Sequence, residues 1–291
     1  MMVKEKAIRY YISKKVNNRI TNQTSIFMKK LLIALTLILT CSFTANAQLG
    51  GLKINKKHVD AATKTAKALT LTDDQIAAYC QEYIDWMDAH NPVCKTTDTD
   101  PGMKAVADRL EKIKSAMPSD VKLDIQAYYV VDQNAFACAN GSIRVFAGLM
   151  ELLTDDEILG IVGHEVGHIV NKDSKDAFKK ALLTSALKDA VGSTSGAAAS
   201  LTDSQLGELG EALAGAQFSQ KAEYAADDYG YEFLKRSGKD PMGMVSALRV
   251  IQKLSDDAGV DKSKAKQLFS THPESGKRAD KLETKYEKEY K

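Results

Sequence analysis

His164-Glu165-Val166-Gly167-His168 lies inside the apolar run 161–169 and constrains this chain more than any other stretch. On a helix, residues four apart share a face, with Cβ atoms about 5–6 Å from one another. His164 and His168 can then turn both imidazoles toward one cation, with the Glu165 carboxylate beside the open coordination position. Two imidazoles and a neighbouring carboxylate base are how a zinc hydrolase site begins. Two histidines do not complete such a site, so the reading depends on a third ligand.

Metzincins take that ligand from a Gly and a third His close downstream of the pair. Here the residues after His168 are Ile-Val-Asn-Lys-Asp, which closes that route. The other route uses a glutamate from a separate helix, and Ser219-Gln220-Lys221-Ala222-Glu223-Tyr224-Ala225-Ala226-Asp227 provides one. Glu223 and Asp227 are four apart and share a helix face. Glu223 can ligate the metal while Asp227 accepts a hydrogen bond from the free ring nitrogen of a ligand histidine, fixing its tautomer and orientation.

The surrounding pattern is mainly helical. Residues 57–69 are rich in helix formers, and Thr72-Asp73-Asp74-Gln75 is a capping box opening a helix to about residue 89. A Pro-, Asp- and Thr-containing loop covers 91–102, and Met103, Val106, Leu110, Ile113 and Met117 mark an amphipathic helix ended by Pro118. Residues 126–132 and 142–147 read as two strands of a hairpin around the small, polar stretch 134–141. Thr154-Asp155-Asp156-Glu157 is a second capping box and launches the histidine helix. Residues 171–200 pass from charged helix into Gly, Ser and Ala, the composition of a flap or lid. Glycines 207, 210 and 215 interrupt the next helical pattern, a stronger helix covers 216–236, and Asp240-Pro241 starts another running to about 254. A charged helix closes the chain.

The N-terminal region reads as a targeting segment. Met28-Lys29-Lys30, the apolar stretch 31–40 and Ala45-Asn46-Ala47 make a secretory signal peptide over 28–47. Residues 1–27 precede a complete signal with its own methionine and are read as a start-site artefact or disordered extension. Cys41 is not preceded by the small residues of a lipoprotein signal. Without residues 1–47 the chain keeps 32 of its 40 basic and 37 of its 38 acidic residues. A mildly acidic surface argues against nucleic acid as a partner. Export admits one disulfide among Cys80, Cys94 and Cys138, leaving one thiol over, and spacing alone does not choose the pair.

Taken together, these blocks resemble the peptidase family of HtpX and the CAAX prenyl endopeptidase, gluzincin zinc metallopeptidases, and in particular its exported bacterial members. In order they are Asn134-Ala135-Phe136-Ala137, Gly148-Leu149, His164-Glu165-x-x-His168, Glu223-Tyr224-Ala225-Ala226-Asp227 with Gly230, Gly238-Lys239-Asp240-Pro241, and Thr271-His272-Pro273 with Arg278. The resemblance spans about residues 100–285. The chain departs from it at Gln220, where relatives carry arginine, and in lacking a further histidine after the zinc helix.

The resemblance implies an α+β, mainly helical fold, with a small β-sheet or hairpin beside the zinc helix. It divides the chain into an N-terminal helical segment over 48–100 and a metallopeptidase domain over 101–291. It implies one zinc ion per chain on His164, His168 and Glu223, with Glu165 as base and Asp227 behind the ligands. It places His272 near the metal. There His272 can stabilise an oxyanion, replace water on the zinc and hold the enzyme inactive, or only cap the last helix. Arg278 is expected to fix local structure.

The resemblance also makes 142–147 an edge strand onto which an extended peptide adds, with Asn134, Ala135, Phe136, Ala137, Ile143 and Val145 as substrate-strand candidates. The expected partners are unfolded exported or outer-membrane polypeptides, and outer-membrane assembly machinery is a candidate too. The expected location is the periplasm, with outer-membrane association open. A chaperone-like protein holding exported clients, with cleavage secondary or latent, is the rival reading.

Overall fold

The computed structural model describes residues 71–183, 200–257, 263 and 265–290, all within the compact unit Lys64–Lys291. The expected signal peptide, the 57–69 helix and the Gly/Ser/Ala stretch of the expected lid lie outside the described residues. The first element is α1 (Asp73–His90), opened by the reciprocal Thr72–Gln75 capping box. Asp100 then caps α2 (Pro101–Ser115), which carries proline in its first turn. Three strands follow, β1 (Asp124–Tyr128), β2 (Ala135–Ala137) and β3 (Ser142–Phe146), and a short α3 (Ala147–Leu152) leads out of the sheet. The histidine helix is α4 (Asp155–Val170), opened by the Thr154–Glu157 box. After it come α5 (Asp173–Leu182), α6 (Asp203–Ala214), α7 (Gln220–Arg236), α8 (Met242–Asp256), α9 (Lys266–Thr271) and α10 (Ser275–Tyr290).

The α+β class holds, and the strand pairing corrects the expected hairpin. β1 runs parallel to β3, and β2 pairs antiparallel with β3, giving the order β1-β3-β2. The hairpin is therefore β2–β3, built from a stretch whose small residues read as a loop. The strand 142–147 is the central strand and not an edge: all five residues of β3 are buried. Ile143 and Val145 face Ala137 and Ala135 in register, so their backbones already have strand partners. The edge beside α4 is β2.

Arg144 lies in the middle of β3. A charged residue mid-strand normally marks a solvated face, yet here the side chain is 1% exposed. Arg144 Nε and Nη2 donate to the two Asp88 carboxylate oxygens, both at 2.9 Å, and Nη2 also lies 2.8 Å from Asp124 Oδ2. Tyr128 Oη donates to the same Asp88 carboxylate at 2.6 Å. These contacts tie α1 to the sheet.

Two apolar clusters follow from this arrangement. The larger joins α2, the sheet, α3, α4, α7, α8 and α10. The smaller joins α1, α5 and α6 with Cys138 at the end of β2. α1, part of the expected N-terminal helical segment, packs into the same unit as the histidine helix. The glycines of α6 do not interrupt it, because the Thr202–Gln205 capping box holds its start and Leu206 and Leu209 bury its inner face.

Candidate metal centre

α4 and α7 pack unusually close, and this crossing assembles the site. A Cβ on Gly230 would stand 2.8 Å from Gly160 O and 3.1 Å from His164 N, both backbone atoms. A Cβ on Gly163 would meet the Phe233 side chain at 2.8 Å. Only glycine allows the two backbones this separation. The first turns of α7 are thereby brought against the histidine face of α4, with Glu223 and Asp227 both 1% exposed.

His164, His168, Glu223 and His272 each present a ligand atom, and these four atoms lie within 4.8 Å of one another. His164 Nε2 and His168 Nε2 are 3.1 Å apart. The Glu223 carboxylate lies 3.8 Å from the first and 3.6 Å from the second. Three imidazole nitrogens and a carboxylate oxygen, all buried, match the N/O preference of zinc. The remote ring nitrogens are engaged: His164 Nδ1 bonds Asp227 Oδ1 at 2.9 Å, and His168 Nδ1 bonds Asp173 Oδ2 at 3.1 Å. Both histidines therefore turn Nε2 inward.

Sequence reasoning missed Asp173. Helix α4 ends at Val170, and Lys172 takes a left-handed conformation (φ 67°) that turns the chain so that the next residue reaches back to His168. An acidic residue five positions after the second histidine was the available signal.

Arg278 binds the two carboxylates of α7 together. Its Nε and one terminal nitrogen bond Asp227 at 2.7 and 2.5 Å, and its other terminal nitrogen lies 2.5 Å from Glu223 Oε2. Burial opposes ionisation of Glu223, but His272, His168 and Arg278 outweigh it and hold its carboxyl well below the usual range. Burial likewise opposes ionisation of Asp227, and Arg278 and His164 overcome it. Burial lowers the His164 pKa and favours the neutral ring, despite the Asp227 bond. For His168 burial also acts downward, but Asp173, Glu223 and Glu165 outweigh it and lift the value to about 9.

His272 sits at the C-terminal end of α9, 7% exposed. Its Nδ1 lies 3.0 Å from Glu223 Oε1 and 3.3 Å from His164 Nε2, and its Nε2 lies 3.7 Å from Glu165 Oε1. Phe218, also missed from sequence, stacks on His168 at 4.0 Å and 17° and ties its backbone N–H to Thr271 O. The departure at Gln220 has a local role: its amide donates to Glu274 Oε2 at 2.6 Å, bracing the loop after Pro273. Asn134, just before β2, is 2% exposed, and neither its side-chain nitrogen nor its oxygen has a hydrogen-bond partner.

A mainly helical α+β fold with two histidines on α4 and a glutamate from α7, packed across it, defines a metallopeptidase of the gluzincin kind. Residues 98–286 match the model of peptidase family M48, and the chain belongs to that family. It is a zinc-dependent metalloendopeptidase. The chain is 32% identical over 255 residues to metalloprotease LoiP of Escherichia coli, covering 87% of this chain and 94% of LoiP. It is 32% identical over 224 residues to metalloprotease YcaL of the same organism, covering 76% of this chain and 84% of YcaL. A beta-barrel assembly-enhancing protease of Yersinia pestis is 28% identical over 248 residues, which cover 82% of this chain and 49% of that protein.

Proposed function

We propose that this protein cleaves unfolded or misfolded exported polypeptides, outer-membrane proteins among them, at the site between α4 and α7. The observation that carries the reading is the buried donor set His164, His168 and Glu223 with Glu165 beside it. In this reading the three donors hold zinc, which supplies Lewis-acid polarisation of the scissile carbonyl and acidifies water. Glu165 takes the proton of the attacking water and delivers it to the leaving amine. Asp227 and Asp173 keep both imidazoles oriented, and Arg278 offsets the charge of the buried carboxylates.

An extended peptide docks along β2, the three-residue edge strand beside α4, and adds a strand to the sheet. The unpartnered Asn134 side chain supports this, since a peptide backbone supplies both a donor and an acceptor. Backbone recognition suits substrates with no fixed sequence. Ile143 and Val145 then shape the sheet under the peptide and do not bond it.

The signal-like segment 28–47 supports export to the periplasm, the name of the Yersinia relative supports a link to outer-membrane assembly, and the acidic surface of residues 48–291 speaks against nucleic acid. Among the described residues no helix is long and apolar enough to cross a membrane. We take residues 101–291 as the catalytic domain, with α1 packed onto it.

One observation favours the latent reading. His272 Nδ1 lies near the donor atoms of both His164 and Glu223, which is where a fourth ligand belongs, so His272 acts as an internal block. His272→Ala is then expected to raise the initial rate on unfolded, quenched-fluorophore-labelled casein several-fold at unchanged zinc content. A loss of about 10²–10³-fold would instead assign His272 to oxyanion stabilisation. Absence of cleavage by both proteins, each loaded with zinc, would support the chaperone-like alternative.

A further inference from the structure

Cys80 in α1 and Cys138, the residue after β2, belong to the same apolar cluster and are 0% and 3% exposed. Contacts on either side hold their backbones together. Asn140 Nδ2 donates to Gln81 Oε1 at 3.0 Å, and the Tyr83 and Phe136 rings lie 6.4 Å apart. Cys94 belongs to the other cluster, where its N–H bonds Ala127 O at 2.9 Å. All three are free thiols in the structure.

We propose that Cys80 and Cys138 are joined in a disulfide when the exported chain folds, pinning α1 to the edge strand β2 and leaving Cys94 as the odd thiol. The proposal rests on the export reading for its compartment and is independent of the peptidase mechanism. The oxidant is a disulfide of a protein or of glutathione. One cysteine thiolate attacks it to form a mixed disulfide and expel one thiol. The second cysteine attacks that mixed disulfide and expels the other thiol, so two electrons and two protons leave the chain and the oxidant is reduced to two thiols.

In the finished fold, the Cys80 contact and burial raise the Cys138 pKa well above its ordinary value. Little thiolate is then present, and neither sulfur can meet an external oxidant. Oxidation therefore belongs to folding and not to a later switch. The bond would close a loop from residue 80 to 138 that contains α2, β1 and β2, restricting the unfolded chain. It would also secure β2, a strand of three residues with one strand partner.

The full chain, denatured, reduced and refolded in an oxidised/reduced glutathione mixture, is blocked with N-ethylmaleimide and mapped by peptide mass spectrometry. The expected product is one linked pair carrying Cys80 and Cys138, with Cys94 blocked as a thiol. Reductant should then lower the unfolding midpoint of wild type and of Cys94→Ser by about 5–15 °C, and leave Cys80→Ser and Cys138→Ser unmoved. A link through Cys94 or Cys41, or recovery of Cys80 and Cys138 as free thiols, would overturn the proposal. Blocking thiols in intact cells tests the compartment separately: a pair linked in vitro but reduced in cells contradicts export alone.

Discussion

Glu165→Gln is expected to lower the turnover of unfolded polypeptide by about 10²–10⁴-fold while leaving the zinc content at that of wild type. The amide keeps the shape of the buried side chain but cannot take a proton from water. Glu165 is 4% exposed and is not one of the four clustered donors, so the metal does not depend on it. Initial rates on labelled casein and metal analysis by mass spectrometry, both on the same preparation, check this. Undiminished cleavage by clean protein would rule out Glu165 as the base, and loss of zinc would make it a ligand.

Gly230→Ala is the second large effect expected, and it acts without touching a functional side chain. The new methyl would stand 2.8 Å from Gly160 O and 3.1 Å from His164 N. Backbone atoms inside a helix cannot step aside, so α7 must move away from α4. Overpacking of this kind costs about 1–3 kcal/mol, a fall of roughly 2–12 °C in the unfolding midpoint for a domain of this size. Because the same movement draws Glu223 away from His164 and His168, zinc affinity should fall with it. Gly207→Ala is the control. No atom lies within 4 Å of its added Cβ and it sits inside α6, so it should be neutral or stabilise by up to about 1 kcal/mol. Thermal melts and zinc titrations of the two variants separate the cases. Equal behaviour would mean that the close crossing does not set the site.

What could be read from the sequence was what is local. The Thr72 and Thr154 boxes announced two helix starts because capping uses residues three apart. The histidine pair and the Glu223–Asp227 pair were visible because helical spacing alone puts each pair on one face. What depended on distant partners was not visible. The resemblance made 142–147 an edge strand, and its central place could not be read locally: the charge of Arg144 is neutralised by Asp88 and Asp124, which come from an earlier helix and strand. The parallel pairing of β1 with β3 was hidden because β2 is only three residues long, inside a small, polar stretch that looks like loop. Asp173 and Phe218 reach the histidines only through a left-handed turn and a loop packed on α9, and neither has a spacing rule. Arg278 stood in a recognisable block, but its hold on both α7 carboxylates requires the helix crossing that glycine permits.

In the proposed mechanism, Glu223 is the third ligand on which a zinc site built by α4 and α7 depends. Metal content measured after dialysis tests it directly, on wild type beside Glu223→Ala and the similarly shaped Glu223→Gln, with circular dichroism to confirm helical folding. The predicted result is zinc in the wild type and at least a tenfold loss in both folded variants. Full zinc occupancy in either folded variant would contradict the assignment and return the third ligand to His272 or another residue.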